Sequence, residues 1–499
     1  FNFGFFRKYK LKSRIFNFSN TYVNLPENFY QRINPVPVKN PELVEFNTEL
    51  SNFLNIDSKK INKKNGKLYF SGNLIPDGAM PIAIAYAGHQ FGNLVPQLGD
   101  GRAVMIGEII ARNKKRFDIQ LKGSGKTIFS RDGDGRSPLG PAIREYLISE
   151  SIHSLGIKST RSLALVKTGE EVFRETFIPG GILTRVASSH IRIGTFEFFY
   201  YKKDFNSLRI LADYTLKRHF NKNKNKNLYV TLLRSVINSQ AKLISKWMSV
   251  GFIHGVMNTD NTSISGETID YGPCAFLDHY DPNKVFSYID FKGRYSYINQ
   301  GKIMLWNLSK FAESIIPILS NNFENSKKIA IECLNEFPKI FEKNWLIEMR
   351  KKFGLTRGLR EDVKIINEFL ELIRVENLDF TISFRNLSNI INKTEKINEN
   401  LKRKERFNEW ILSWKKRLEK EKLEKSKIAI KMKKINPYYI PRNHLVEAAI
   451  DAAVNKDDFS EMRELLKISR KPFSKGNFKK KYSLPPEPNE VVSNTFCGT

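Results

Sequence analysis

The chain has 499 residues, with 82 Lys and Arg against 52 Asp and Glu and a net charge of +30. Hydrophobic residues make up 41% and aromatics 12%, enough apolar material for real cores and too much for a wholly disordered chain. No apolar run reaches the ~18 residues of a membrane-spanning helix, and three cysteines (Cys274, Cys333, Cys497) cannot build a disulfide framework or a cysteine-rich zinc site. At about 100–200 residues per domain, about two to four structural units are expected. The cysteine usage suits a reducing compartment. Much of the basic excess lies in Lys/Asn-rich pieces, residues 221–227 and 402–434, that read as solvated loops and helix faces. Binding to nucleic acid or to a membrane is therefore not expected. A monomer is.

Before Glu27 the chain carries Arg7, Lys8, Lys10, Lys12 and Arg14 and no acid. This resembles a transit peptide in lacking acids, but it has few serines, no amphipathic period and no apolar segment for secretion. The bacterial cytoplasm is the expected compartment, with the mitochondrial matrix the alternative in a eukaryote.

Residues 15–95 are mixed and rich in Pro and Asn turn signals. After the turn Gly99-Asp100-Gly101, the apolar run Val104–Ile110 and the alternating Asp118–Lys122 predict strands, ended by Gly123-Ser124-Gly125. Helical spacing of Ile143, Leu147 and Ile148 predicts a helix from Gly140 to Ile157. Val172–Phe177 and Gly181–Val186 predict further strands. From Ser207 helices dominate, with a long one at Thr231–Val250. Gly251–Phe276 is Gly/Asn/Asp-rich, the composition of a site loop on a scaffold. Residues 300–435 are nearly all helical in pattern, and His444–Val454 and Phe459–Leu466 predict two last helices before a basic, Pro-containing tail. The order predicts an α+β fold of two lobes, sheet first and helices second.

The chemistry-bearing residues fall in a recognisable order. The turn Gly99-Asp100-Gly101-Arg102 lets backbone N–H groups approach phosphate closely. Lys122 sits on a strand, on the face opposite Ile119 and Leu121, and Glu145 lies on the helix that follows. A strand Lys paired with a helical Glu is how protein kinases hold the phosphates of ATP. Far downstream, His254-Gly255-Val256-Met257-Asn258-Thr259-Asp260-Asn261 fits the kinase frame H-R-D-L-x-x-x-N, and Asp270-Tyr271-Gly272 takes the place of D-F-G. Asn261 and Asp270 then stand as oxygen ligands of the kind Mg²⁺ prefers. One member is wrong. Val256 occupies the place of the catalytic Asp, and Asp260 is the only carboxylate nearby that could replace it. Taken singly, these motifs have plainer readings: a hairpin turn, a solvated lysine, a structural histidine at 254, an Asp-Asn turn cap. Their joint order is the signal. A P-loop at Gly123–Thr127 is excluded because Gln120 stands where the pattern requires Gly.

The stretches YAGHQFGNLVPQLGDGRA, LKGSGKTIFSRDGDGR, IREYLISESIHSLGI, GILTRVASSHIRIGTFEFF and HGVMNTDNTSISGETIDYGPCAFLD resemble the selenoprotein O family. The likeness runs from about Ile15 to the end, strongest over 85–282. It implies a kinase-like fold without the usual catalytic Asp, acting as a protein adenylyltransferase. ATP would lie flipped, so that AMP passes to Ser, Thr or Tyr hydroxyls of protein substrates, with Mg²⁺ or Mn²⁺ as cofactor. The likeness further implies nucleotide contacts from Gly99, Gly101, Arg102, Lys122, Asp134, Gly135, Arg185, Arg192 and Asp270. Asp260 would be the proton acceptor, Asn261 and Asp270 the metal ligands, and Glu145 the partner of Lys122. Lys126 departs from the pattern, where an uncharged residue is expected.

Cys497 matches the place where some members of that family carry selenocysteine. That match implies a redox role, with Cys274 ahead of Cys333 as its partner. The plainer reading of Cys274 is a small buried core residue. The segmentation expected is a basic extension at 1–14, a nucleotide-binding lobe at 15–195 and a second lobe with the catalytic loop at 196–345. A helical extension at 346–435 and a C-terminal unit with the redox tail at 436–499 complete it. An ordinary phosphotransferase using Asp260 as base stands as the alternative function.

Overall fold

The computed structural model describes residues 15–61, 63–220, 227–391 and 401–495. The basic extension 1–14, the Lys/Asn run 221–226 and Cys497 lie outside the described residues.

Strands carry the chain up to Ala187 and helices dominate after it, the α+β order expected from the sequence. A seven-stranded antiparallel sheet runs, in spatial order, Tyr30–Arg32, Ile82–Ile84, Ala103–Ile110, Arg116–Lys122, Phe177–Ala187, Arg161–Phe173 and Glu42–Phe46. The period of two in Arg116–Lys122 decides which side chains reach the site. Ile119 and Leu121 bury into the apolar cluster on the outer face, with Leu50, Leu54, Phe70, Val104, Val166 and Val186. Gln120 and Lys122 therefore point to the opposite face. On the neighbouring strand Arg185 is the register partner of Gln120, so its side chain joins Lys122 on that inner face.

One expected strand is corrected. Val172–Phe177 is the tip of a long hairpin, with Arg161–Phe173 and Phe177–Ala187 as its arms and a turn closed by Arg174 N–H donating to Thr176 O at 3.0 Å. The turn residues Arg174-Glu175-Thr176 include neither Gly nor Pro, so no composition signal separates the two arms.

The helix Leu139–Ser154 covers the inner face. Extended Pro138 leads into it, Pro141 is tolerated in its first turn, and Gly156 at φ +76° follows its end. It is buried nearly all round because the C-terminal helices Asn443–Lys456 and Ser460–Ser469 pack on its far side. Arg144 crosses that contact, donating to Asn443 Oδ1 at 3.0 Å and to the Cys274 carbonyl at 3.3 Å, and pairing with Glu447. The helical part is organised on Leu228–Ser249, which packs against Gln300–Leu319 and Phe337–Lys352. A large continuous core joins this bundle to the inner face of the sheet. No helix among the described residues is long and apolar enough to cross a membrane.

Candidate active site

Where the inner face of the sheet meets the loop 254–272 there is a cavity of about 1050 Å³. Its wall includes Gly101, Arg102, Lys122, Glu145, Arg185, Arg192, Val256, Asp260, Asn261 and Asp270. Residues separated by more than a hundred positions in sequence thus share one space. Gly99, Asp134 and Gly135 are not part of the wall. Gly99 shapes the turn instead: it adopts φ +70°, and a Cβ would stand 2.3 Å from the Phe129 ring. Asp134 pairs with Arg174 at 2.9 Å, and Arg174 does line the cavity.

The centre is an ion cluster. Lys122 Nζ donates to Glu145 Oε2 at 2.6 Å and stands 3.4 Å from Asp270 Oδ1. Arg185 Nη2 reaches Glu145 Oε1 at 2.5 Å and Asp270 Oδ1 at 2.7 Å. Arg192 Nη1 donates to Asp270 Oδ2 at 2.5 Å and to the Asp260 carbonyl at 2.6 Å. Burial alone would raise the Asp270 carboxyl, but Arg185, Arg192 and Lys122 hold it well below the usual carboxylate range. Glu145, also buried, is held down by Arg185 and Lys122. Within this cluster three cations meet two carboxylates, a local positive excess on a wall that elsewhere carries Asp100, Glu175 and Asp260. That arrangement attracts an anion.

The backbone aims Asp270. Its φ of +61° lies in the left-handed region, which an aspartate tolerates better than most residues and which is enriched at functional sites. His254, by contrast, is fully buried, meets the Ile269 carbonyl through Nε2 at 2.8 Å and stacks on Trp247, a structural role. Asn261 donates its amide to the Val256 carbonyl at 3.1 Å, which leaves its side-chain oxygen for a ligand. Val256 lines the wall and has nothing to accept a proton.

Asp260 sits differently from Asp270. Burial pushes its carboxyl up to about 6, with Arg192 and Gln90 opposing the rise. Its Oδ2 accepts from Gln90 Nε2 at 3.4 Å, and its Oδ1 is buried with no hydrogen-bond partner among the described residues. Two carboxyls in one cavity are thus pushed in opposite directions, the usual mark of an acid–base division of labour.

The donor set suits a hard divalent ion. Asp260, Asn261 and Asp270 offer only oxygens, and the Asp270 oxygens keep lone-pair capacity beyond their three cationic partners. Among the described residues no group of three or more His, Cys, Asp or Glu could cage a metal. An ion held by one or two carboxylates together with nucleotide phosphates needs no such cage.

Sequence reasoning assigned no role to Tyr86, Gln90, Phe91 and Asn258, which also line the cavity. The Arg192 guanidinium lies 4.7 Å from the centre of the Tyr86 ring. Asn258 Oδ1 accepts from Phe91 N–H at 3.1 Å and Tyr295 OH at 2.7 Å, joining the hairpin Gly88–Gln90/Asn93–Val95 to the loop 254–272. The signal was present in YAGHQFGN, a Gly-punctuated run too short to show any period. Thr495 also reaches the wall: its hydroxyl donates to the Pro273 carbonyl at 2.8 Å, and its N–H to Phe286 O at 2.7 Å.

Comparison with known proteins gives the family of the chain. A family model described as Protein adenylyltransferase SelO matches residues 13–470. Protein nucleotidyltransferase YdiU of Rhizobium meliloti (strain 1021) is 47% identical over 489 residues, covering 97% of this chain and 99% of that protein. Its namesake in Bacillus thuringiensis (strain Al Hakam) is 48% identical over 484 residues, covering 97% of this chain and 98% of that one. A solved structure titled Titin kinase and its flanking domains matches at 11% identity and a TM-score of 0.21, covering 67% of this chain and 51% of that one. With a family model spanning nearly the whole chain and relatives at nearly half identity over their full length, the chain belongs to the SelO family of protein adenylyltransferases and is a nucleotidyltransferase.

Proposed function

We propose that this protein transfers AMP from ATP to Ser, Thr or Tyr hydroxyls of proteins, with Mg²⁺ or Mn²⁺ accompanying the nucleotide. The observation that carries the reading is the meeting of the Lys122 ammonium and the Asp270 carboxylate at 3.4 Å in one cavity, with Arg185 and Arg192 beside them. The acceptor oxygen attacks the α-phosphorus, the bond to the bridging oxygen breaks, and pyrophosphate leaves. Lys122, Arg185 and Arg192 offset the charge that develops on the α-phosphate and on the leaving pyrophosphate, in a site where such positioning is most of the catalysis. Asp260 takes the hydroxyl proton. A carboxyl near 6 is ionised at neutral pH and close enough in basicity to accept it in passing. Glu145 keeps Lys122 and Arg185 in place. Asn261 and Asp270 would hold the ion, which would supply charge neutralisation and orientation for the phosphates. Arg102 and the Gly101 backbone face the same phosphates.

The pairing of Cys274 with Cys497 belongs to the same reading. Thr495 anchors the tail two residues before Cys497, on the carbonyl of the residue preceding Cys274. Mass mapping of unreduced peptides should find the cross-link, and its absence under oxidising conditions removes it. The bacterial cytoplasm is the proposed setting.

Incubation with ATP labelled on the α- or the γ-phosphate tests the function. Label on protein from the α position only is expected. Label from the γ position only would establish the phosphotransferase alternative.

A further inference from the structure

The mouth of the cavity is framed by two turns that hold apolar side chains out in water. The first is the hairpin tip, where Phe173 and Phe177 are 60% and 66% exposed with ring centres 5.1 Å apart. Arg174 pins this tip from below, donating to Asp134 Oδ2 at 2.9 Å and to the Arg136 carbonyl at 3.1 Å. The second is the turn Ser287–Phe291. Its Asp290 carboxylate points inward and accepts the N–H groups of Arg294 and Tyr295 at 2.9 and 2.7 Å. Tyr288, Ile289 and Phe291 point outward, 50%, 57% and 84% exposed.

A polar anchor holds each turn in place, the half-buried Arg174 under the first and the buried Asp290 carboxylate under the second. Exposed apolar clusters on rigid supports mark interaction surfaces. Phe173, Ile178, Tyr288 and Ile289 also line the cavity, so the two lips are continuous with the site of nucleotidyl transfer. A residue that is to be modified must enter this cavity, and the polypeptide on either side of it must cross the rim. A second copy of the chain docked rim to rim would close the entrance instead. Lys292, exposed beside Phe291, offers an acidic visitor a partner at this second lip.

We propose that the Phe173/Phe177 and Tyr288/Ile289/Phe291 lips bind the substrate polypeptide itself, gripping apolar side chains that flank the acceptor hydroxyl in an extended, acidic segment. This rests on the function proposed above and adds which residues choose the substrate. The lips act as specificity determinants and take no part in the chemistry.

The test uses Phe177→Ser and Phe291→Ser, exposed positions that do not line the cavity, in the full chain. Synthetic peptides carry one Thr among Asp and Glu, with flanking positions either Leu and Phe or Ser and Gly, and transfer is followed with α-labelled ATP. The apolar-flanked peptides should be used about tenfold better, the effect of partly burying one aromatic ring. Each variant should raise KM for those peptides about tenfold and leave KM for ATP and the thermal midpoint where they were. Equal use of both peptide classes, or an unmoved peptide KM in both variants, overturns the proposal. So does a wild-type dimer in sedimentation that either variant dissociates, which would give the lips to a second copy. If labelled ATP binds but no peptide takes label, the functional reading fails, and this proposal with it.

Discussion

At the scale of single residues the site works by contrast. Asp270 is surrounded by cations and held strongly acidic, whereas Asp260, only partly relieved by Arg192 and Gln90, keeps its carboxyl near 6. Asp260→Asn should lower kcat by about 10²–10⁴, the usual worth of a positioned base, with KM for ATP little changed. Equal losses in kcat and ATP affinity would move Asp260 from proton transfer to nucleotide binding. Asp270→Ala should abolish metal-dependent transfer, and Lys122→Met should do the same while circular dichroism and the thermal midpoint stay near wild type. Val256→Asp restores a carboxylate at the kinase position; with the nucleotide flipped it should not produce γ-phosphate transfer, and strong γ-labelling in that variant would overturn the flipped orientation. Some of this was legible in the sequence. The alternation around Lys122 set its face, and the helical spacing placed Glu145. The φ of +61° that aims Asp270 was not legible, because backbone torsion at a non-glycine leaves no mark in composition. Arg185 and Arg192 were legible only through the family resemblance, since neither pattern nor spacing separates a buried arginine from a surface one.

At the scale of elements the short hairpin Gly88–Gln90/Asn93–Val95 braces the loop 254–272. Its His89 N–H donates to Thr259 Oγ1 at 2.7 Å, and Thr259 and the His89 ring both meet the buried Glu197 carboxylate, at 2.5 and 2.6 Å. Gly88 is required because the Asp260 carboxylate fills the space a side chain would need: a Cβ there would lie 2.3 Å from Oδ1. Gly88→Ala should therefore displace Asp260, lowering kcat more than tenfold for a stability loss of about 1–3 kcal/mol, typical of overpacking. A variant with normal kcat would show that the loop relaxes freely. The hairpin escaped sequence reasoning because three-residue strands show no period, whereas the helix Leu139–Ser154 was legible from its spacing and the following Gly156. The boundary between the arms at 173–177 was hidden for the opposite reason, a turn without turn residues.

At the scale of the whole molecule, stability and charge carry their own signatures. Lys352, the last residue of the helix Phe337–Lys352, is buried, with its ammonium 4.1 Å from the Phe384 ring centre and 5.3 Å from that of Phe380. Burial drives its pKa down to about 7. Between that value and the 10.5 of the unfolded chain, the unfolded state binds the proton and the folded state does not, so stability rises with pH across this window. The penalty is fully present below about 7 and gone above 10.5, and amounts to about 4–5 kcal/mol in all at ~1.4 kcal/mol per unit. Lys352→Met should accordingly be more stable than wild type at pH 7, with the gap closing towards pH 10.5 in denaturant titrations. A gap that stays constant with pH would mean the ammonium keeps its proton in the fold. The two-part order of sheet and helices was legible from the succession of periods. Two long-range meetings were not: the C-terminal helices against the Glu145 helix, and the tail against the cavity, each joining stretches hundreds of residues apart.

Thr495 stitches Pro273 to Phe286 and forms part of the cavity wall whose opposite side is laid down by Gly101 and Lys122. The order of synthesis gives this a timing. The ribosome delivers the lysine, the glutamate and the aspartates early, but a nascent chain that has not yet reached Thr495 still lacks that stitch. An unfinished polypeptide therefore emerges with its cations in hand and its chamber open on one side.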